Sequence, residues 1–112
     1  MNELKNQHCR AIAKGSPALE PSQVSALLVR LNGEWKCSDD AKAIARQFTF
    51  KNFYRTMAFV NAVAWIANQE DHHPDLNVGY SKCTVTFSTH AADGLTENDF
   101  ICAAKVDALL NE

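Results

Sequence analysis

No apolar run in this sequence approaches the roughly 18 residues that a membrane-spanning helix needs. The opening residues, 1–8, are polar and lack the apolar stretch of a secretory leader. No signal peptide is read there, and the expected compartment is the cytosol. An excess of one charge is also missing. Eleven Lys and Arg face thirteen Asp and Glu, a formal net charge of −2. That excludes a strongly basic nucleic-acid footprint, and no direct nucleic-acid partner is expected. The four cysteines, Cys9, Cys37, Cys83 and Cys102, form no C-x-x-C pair. This excludes a zinc ribbon or thioredoxin-type motif, and a reducing cytosol disfavours disulfides. Cys83 and Cys102 read as small buried apolar residues, Cys37 as partly exposed, and His8-Cys9 as a tail feature. Internal repeats and low-complexity segments are absent.

What is present is an ordinary globular composition, 46% hydrophobic and 21% charged over 112 residues, enough for one core. Residues 1–20 are polar and broken by Gly15-Ser16-Pro17, which predicts a flexible lead-in. The domain proper is expected over residues 21–112. Pro21 opens a short helix with Val24, Leu27, Leu28 and Leu31 at helical spacing, stopped by Asn32-Gly33. Glu34–Cys37 and Lys42–Phe50 read as a strand hairpin, with Ile44, Arg46, Phe48 and Phe50 on one parity.

A long alanine-rich helix is predicted over residues 52–69. Its stripe is Phe53, Met57, Val60, Ala64 and Ala67, widened by Phe59, Val63 and Ile66, with Trp65 as a core or interface residue. Pro74 ends it. Strands follow at Leu76–Tyr80 and at Cys83–Ser88, where Cys83, Val85 and Phe87 alternate with Thr84, Thr86 and Ser88. This parity places His90 opposite the apolar side. Thr96-Glu97-Asn98-Asp99 starts a last helix with a capping-box pattern. The order α-β-β-α-β-β-α predicts an α+β fold: a four-stranded antiparallel sheet with three helices packed on one face.

Three of the four histidines, His72, His73 and His90, fall close together, and Asp71 and Asp75 flank the first two. One bland reading is an exposed polar turn. A metal site is an alternative, with Asp71 or Asp75 completing the ligands. Adjacent histidines, however, do not give the H-E-x-x-H geometry of hydrolytic zinc. Proton transfer is the other reading. Imidazole is both acid and base near neutral pH, and elimination of water needs one group of each kind.

The residues Glu70-Asp71-His72-His73-Pro74, then Ser88-Thr89-His90, then Gly94-Leu95-Thr96-Glu97-Asn98-Asp99 resemble the pterin-4a-carbinolamine dehydratases. The shared order is D-H-H-P, a strand ending in S/T-T-H, and G-L-[ST]-E-x-D. Phe48-Thr49-Phe50-Lys51-Asn52-Phe53 is similar to the family's F-x-F-x-[DN]-F. The resemblance spans about residues 35–109, and the first 34 residues match only loosely.

The resemblance implies the same fold and a reaction. The reaction is loss of water from 4a-hydroxytetrahydropterin to give quinonoid dihydropterin, which recycles the pterin of aromatic amino acid hydroxylases without metal or organic cofactor. It implies His72, His73 and His90 as catalytic residues. Asp71, Asp99 and Pro74 are implied at the substrate site, with one of the two aspartates holding an imidazole tautomer. A homodimer or homotetramer is expected, as is a functional link to a hydroxylase. Two departures stand out: Asn68 where animal members carry Glu, and Leu76 where they carry an aromatic. Animal members also bind dimerisation helices of a homeodomain factor, for which Phe59, Val63 and Ile66 are the candidate surface. A role elsewhere in pterin or molybdopterin metabolism is a third reading.

Overall fold

The computed structural model describes residues 3–110. After a 3-10 turn at Leu4–Asn6, the elements are α1 (Pro21–Leu28), β1 (Lys36–Cys37), β2 (Ile44–Thr49), α2 (Phe53–Glu70), β3 (Asp75–Val78), β4 (Lys82–Phe87) and α3 (Glu97–Ala108). The order is the one expected. Each element starts where the local chemistry allows. Pro21 sits in the first turn of α1, and the Gln23 side chain accepts the Glu20 N–H at 2.8 Å. The Asn52 side chain caps α2 by accepting from the Arg55 N–H at 3.0 Å. Thr96 and Asp99 form the capping box of α3.

The sheet order is β1-β2-β4-β3, all antiparallel. Register pairs Ile44 with Phe87, Arg46 with Val85 and Phe48 with Cys83. These six side chains are buried, and the odd-even alternation predicted for both strands therefore holds. The core joins them to Phe59 and Val63 of α2 and to Phe100, Ile101 and Val106 of α3. Burying side chains of this size contributes about 1.5–3 kcal/mol each.

The buried Arg46 of β2 meets Asp107 of α3 at 2.7 Å, and Trp35 Nε1 donates to both Asp107 oxygens at 2.9 Å. Burial pushes the Asp107 carboxyl above the ordinary range, against the pull of Trp35 and Arg46. Cys83 and Cys102 are buried and Cys37 half-buried, as expected; burial pushes the Cys83 thiol up.

Two expectations change. The buried face of α2 is Thr56, Phe59, Val63, Ile66 and Ala67. Phe53 is 47% exposed, and Ala64 faces solvent. An alanine-rich helix carries apolar groups all round, and its phase is set by the sheet it meets. Phe59, Val63 and Ile66, at 6%, 1% and 8% exposure, therefore belong to this chain's own core and do not offer a docking surface. Trp65 is 65% exposed and lies outside the core.

The polar lead-in is laid against the domain. Leu4 is buried, Gly15 N–H donates to Ala91 O at 2.8 Å and Leu19 N–H to Leu95 O at 2.8 Å. No helix is long and apolar enough to cross a membrane among the described residues.

Candidate active site

Helix α2 ends at Glu70, and Asp71 takes the left-handed conformation at φ 50°, ψ 44°. Asp tolerates this region better than most residues, at a cost of order 1 kcal/mol or more. The reversal turns the chain out of the helix, so that the adjacent His72 and His73 leave in different directions. The Asp71 and His72 N–H groups both return to Ala67 O. On the other side of the site, β4 passes into Thr89, which pairs with Gly94, and then into a 3-10 turn, His90–Ala92, closed by left-handed Asp93 at φ 51°. Thr89 continues the buried parity of β4 and His90 is exposed, as the alternation predicts. One histidine-bearing corner thus opens, and the other closes, on an aspartate at positive φ.

His72, His73, His90 and Asp71 line one cleft of about 370 Å³, together with Ser88 and Thr89. A larger hollow of about 540 Å³ lies elsewhere, between Leu4 and Asp107, and holds no histidine. Asp99 lies beneath the cleft and is fully buried. His72 Nε2 is 2.6 Å from Asp99 Oδ1. The other Asp99 oxygen accepts the Thr89 hydroxyl at 2.8 Å and the Thr96 N–H at 2.9 Å. Because the Thr89 hydroxyl donates to Asp99, the 2.8 Å contact between the two threonines has the Thr96 hydroxyl donating to Thr89.

With Asp99 accepting at Oδ1, His72 carries a hydrogen on Nε2 and keeps Nδ1 for a substrate. The imidazole is further held by Phe87, stacked at 6.0 Å and 8°. His73 is looser. It is exposed, and its Nε2 donates to Asn68 Oδ1 at 3.3 Å. The departure at Asn68 therefore touches a histidine of the cleft directly.

Of the expected site residues, the structure brings the three histidines and Asp71 to one cleft. It assigns the His72 partner to Asp99, and Asp71 does not take that place. Pro74 is half-buried after His73 and is not part of the cleft lining. Among the described residues no three His, Cys, Asp or Glu side chains come together as a metal-holding group.

Sequence reasoning missed the rest of the lining, Arg10, Ala11, Ile12 and Asn98 among it. Nothing local in a polar N-terminal segment signals that it crosses a cleft formed some sixty residues later. The clue, visible only in three dimensions, is the buried Asn98, whose amide accepts the Arg10 N–H at 3.1 Å and donates to Arg10 O at 2.7 Å.

Comparison with known proteins finds relatives over nearly the whole chain. Residues 17–109 match the family described as pterin 4 alpha carbinolamine dehydratase. A Legionella pneumophila protein carrying the name pterin-4-alpha-carbinolamine dehydratase is 56% identical over 109 residues, 97% of this chain and 96% of its own. A Nitrosomonas eutropha protein carrying the same name is 53% identical over 108 residues, 96% of this chain and 94% of its own.

Among solved structures, a Brucella melitensis chain described as a transcriptional coactivator/pterin dehydratase superposes with TM-score 0.78 at 35% identity. It covers 82% of this chain and 97% of its own. A pterin dehydratase-like protein described as a RuBisCO assembly factor in the alpha-carboxysome reaches TM-score 0.59 at 26% identity, over 68% of this chain and 88% of its own. With its fold, its histidine cleft and matches over nearly its whole length, this chain belongs to the pterin 4 alpha carbinolamine dehydratase family.

Proposed function

We propose that the chain dehydrates 4a-hydroxytetrahydropterin to quinonoid dihydropterin, with the cleft histidines as acid and base. The observation that carries this reading is convergence. Three imidazoles meet in one cleft, and one of them is oriented by a fully buried carboxylate. The reaction breaks the C4a–O bond and the N5–H bond. A protonated imidazole gives its proton to the departing hydroxyl, which leaves as water. A neutral imidazole takes the N5 proton, and the freed electron pair forms the C4a=N5 bond. His72 and His90 are the acid/base pair, and His73 orients the ring. Asp71, exposed at the cleft edge, accepts from the pterin's amino and ring N–H groups. General acid/base catalysis of this kind contributes about 10²–10⁴-fold.

Product return through a reductase would recycle the pterin of an aromatic amino acid hydroxylase, the partner activity this chemistry requires. A homodimer or homotetramer is part of the proposal. Phe53, Tyr54, Trp65 and Tyr80 are exposed, and the sheet ends on edge strands β1 and β3. Sedimentation of the purified protein tests this, and a monomer at micromolar concentration would overturn it.

The test of function follows absorbance as enzymatically generated 4a-hydroxytetrahydropterin decays, with wild type beside His72→Ala and His90→Ala. Acceleration by wild type that both variants lose by 10²-fold or more is expected. A folded wild type that leaves the spontaneous rate unchanged would sink the reading.

A further inference from the structure

Residues 8–15 cross the domain as a strap tied at both ends. Cys9 N–H donates to Glu70 Oε1 at 2.7 Å, and His8 Nδ1 lies 2.9 Å from the second Glu70 oxygen. Asn98 clasps both backbone groups of Arg10, and the Cys9 Sγ is 3.4 Å from Cys102 Sγ. Beyond the cleft, Gly15 N–H is tied to Ala91 O, beside His90. Between the two sets of ties the chain passes over the cleft and supplies Arg10, Ala11 and Ile12 to its wall. Asn98 spends its amide on backbone groups 88 residues away, as a strand neighbour would. The strap's path is therefore held by side chains of α2 and α3, the same helices that hold His72 and Asp99.

We propose that this strap is part of the substrate site and that Arg10 is a binding residue for the 4-oxo edge of the pterin. The inference rests on the pterin reading of the cleft. Arg10 is the one Lys or Arg in the lining, and no carboxylate pairs with its guanidinium among the described residues. The substrate is uncharged, and its pyrimidine edge carries donors beside an acceptor. Its amino and ring N–H groups donate, whereas its 4-oxo group accepts. Asp71, on the α2 side, is an acceptor. Arg10, on the strap, carries donors only, set in a planar fork suited to a carbonyl. Asp71 and Arg10 thus bring an acceptor and a donor to the same cleft, which is what the adjoining amino, N3–H and 4-oxo groups of one pyrimidine edge require. Arg10 acts in binding and takes no part in proton transfer.

The test separates KM from kcat in Arg10→Ala and Arg10→Lys, and measures Kd for two stable probes by fluorescence titration. The probes are 7,8-dihydrobiopterin and a 2-amino-dihydropteridine lacking the 4-oxo group. Loss of one charged hydrogen bond predicts that KM and the dihydrobiopterin Kd rise about tenfold in Arg10→Ala while kcat stays within about twofold. Wild type should bind the 4-deoxo probe about tenfold more weakly than dihydrobiopterin, and Arg10→Ala should bind the two alike. Equal KM and Kd in wild type and Arg10→Ala, both folded, would overturn the proposal while leaving dehydration standing. Wild type that binds the probes through Arg10 but does not accelerate dehydration would support it and remove only the catalytic reading. Wild type that neither binds nor turns over would overturn both.

Discussion

His72 Nε2 and Asp99 Oδ1 are 2.6 Å apart although 27 residues separate them, and the carboxylate is wholly shielded from water. The same carboxylate takes the N–H of Thr96, the residue that caps α3, and the hydroxyl of Thr89. One side chain therefore starts α3 and orients an imidazole of the cleft. Asp99→Asn keeps the shape but presents an amide N–H where an acceptor is needed. It is expected to lower kcat by about 10²-fold or more and to cost about 1 kcal/mol of stability through the weakened cap. Thr89→Val removes a donor to Asp99 and the acceptor of the Thr96 hydroxyl, and is expected to lower kcat at a stability cost of about 1–3 kcal/mol. Steady-state kinetics beside thermal melts would check both.

Glu70 links acid pH to the strap. Burial pushes its carboxyl up, but the Cys9 N–H, His8 and Lys105 prevail and hold it below the ordinary range. A carboxyl whose folded value is depressed stabilises the fold at pH above its unfolded value. That stabilisation is lost as pH falls through the lower folded value. The Cys9 amide resonance is expected to move toward its unfolded position on acidification, in a window below the usual glutamate range. In Glu70→Gln the same titration should vanish. An NMR pH series on both proteins decides it.

Asp107 carries the opposite sign. Burial raises its carboxyl against the pull of Trp35 and Arg46, so between its unfolded and folded values the native state binds more protons than the unfolded chain. Its contribution to stability therefore falls as pH rises through the folded value. Its removal is a separate matter. Asp107→Ala leaves the Arg46 guanidinium buried, 9% exposed at the side chain, and takes away the Trp35 acceptor. A loss of about 3–5 kcal/mol is expected in denaturant unfolding, with a changed Trp35 emission. An Asp107→Ala midpoint equal to wild type would contradict the assignment.

Gly94 is required by an approach, since a Cβ built there would meet Ala18 Cβ at 2.8 Å. Real Cβ atoms do not come so close, so Gly94→Ala must displace residue 18 and with it the segment tied at Leu19. A loss of about 1–3 kcal/mol is expected, and Ala18→Gly in the same chain should recover most of it. A double-mutant cycle in urea measures the recovery.

The sequence by itself determined the elements whose signals are local. The period-two runs of β2 and β4 put Ile44, Phe48, Val85 and Phe87 inside, because a strand offers two faces and only one was apolar. Thr96 and Asp99 announced the start of α3, because a capping box closes within three residues. Asp71-His72-His73-Pro74 and His90 were legible as a cluster because the motif spacing is linear.

Tertiary structure decided the rest. The phase of α2 could not be read, since Phe53, Met57 and Val60 are as apolar as Phe59, Val63 and Ile66. Only contact with the sheet and α3 selects between them. Which aspartate serves His72 depended on the left-handed turn at Asp71, which carries the imidazole back over α3. Above all, residues 8–15 have no periodicity of their own. They acquire a path from Glu70, Asn98 and Ala91, groups that do not exist as a surface until the domain has formed.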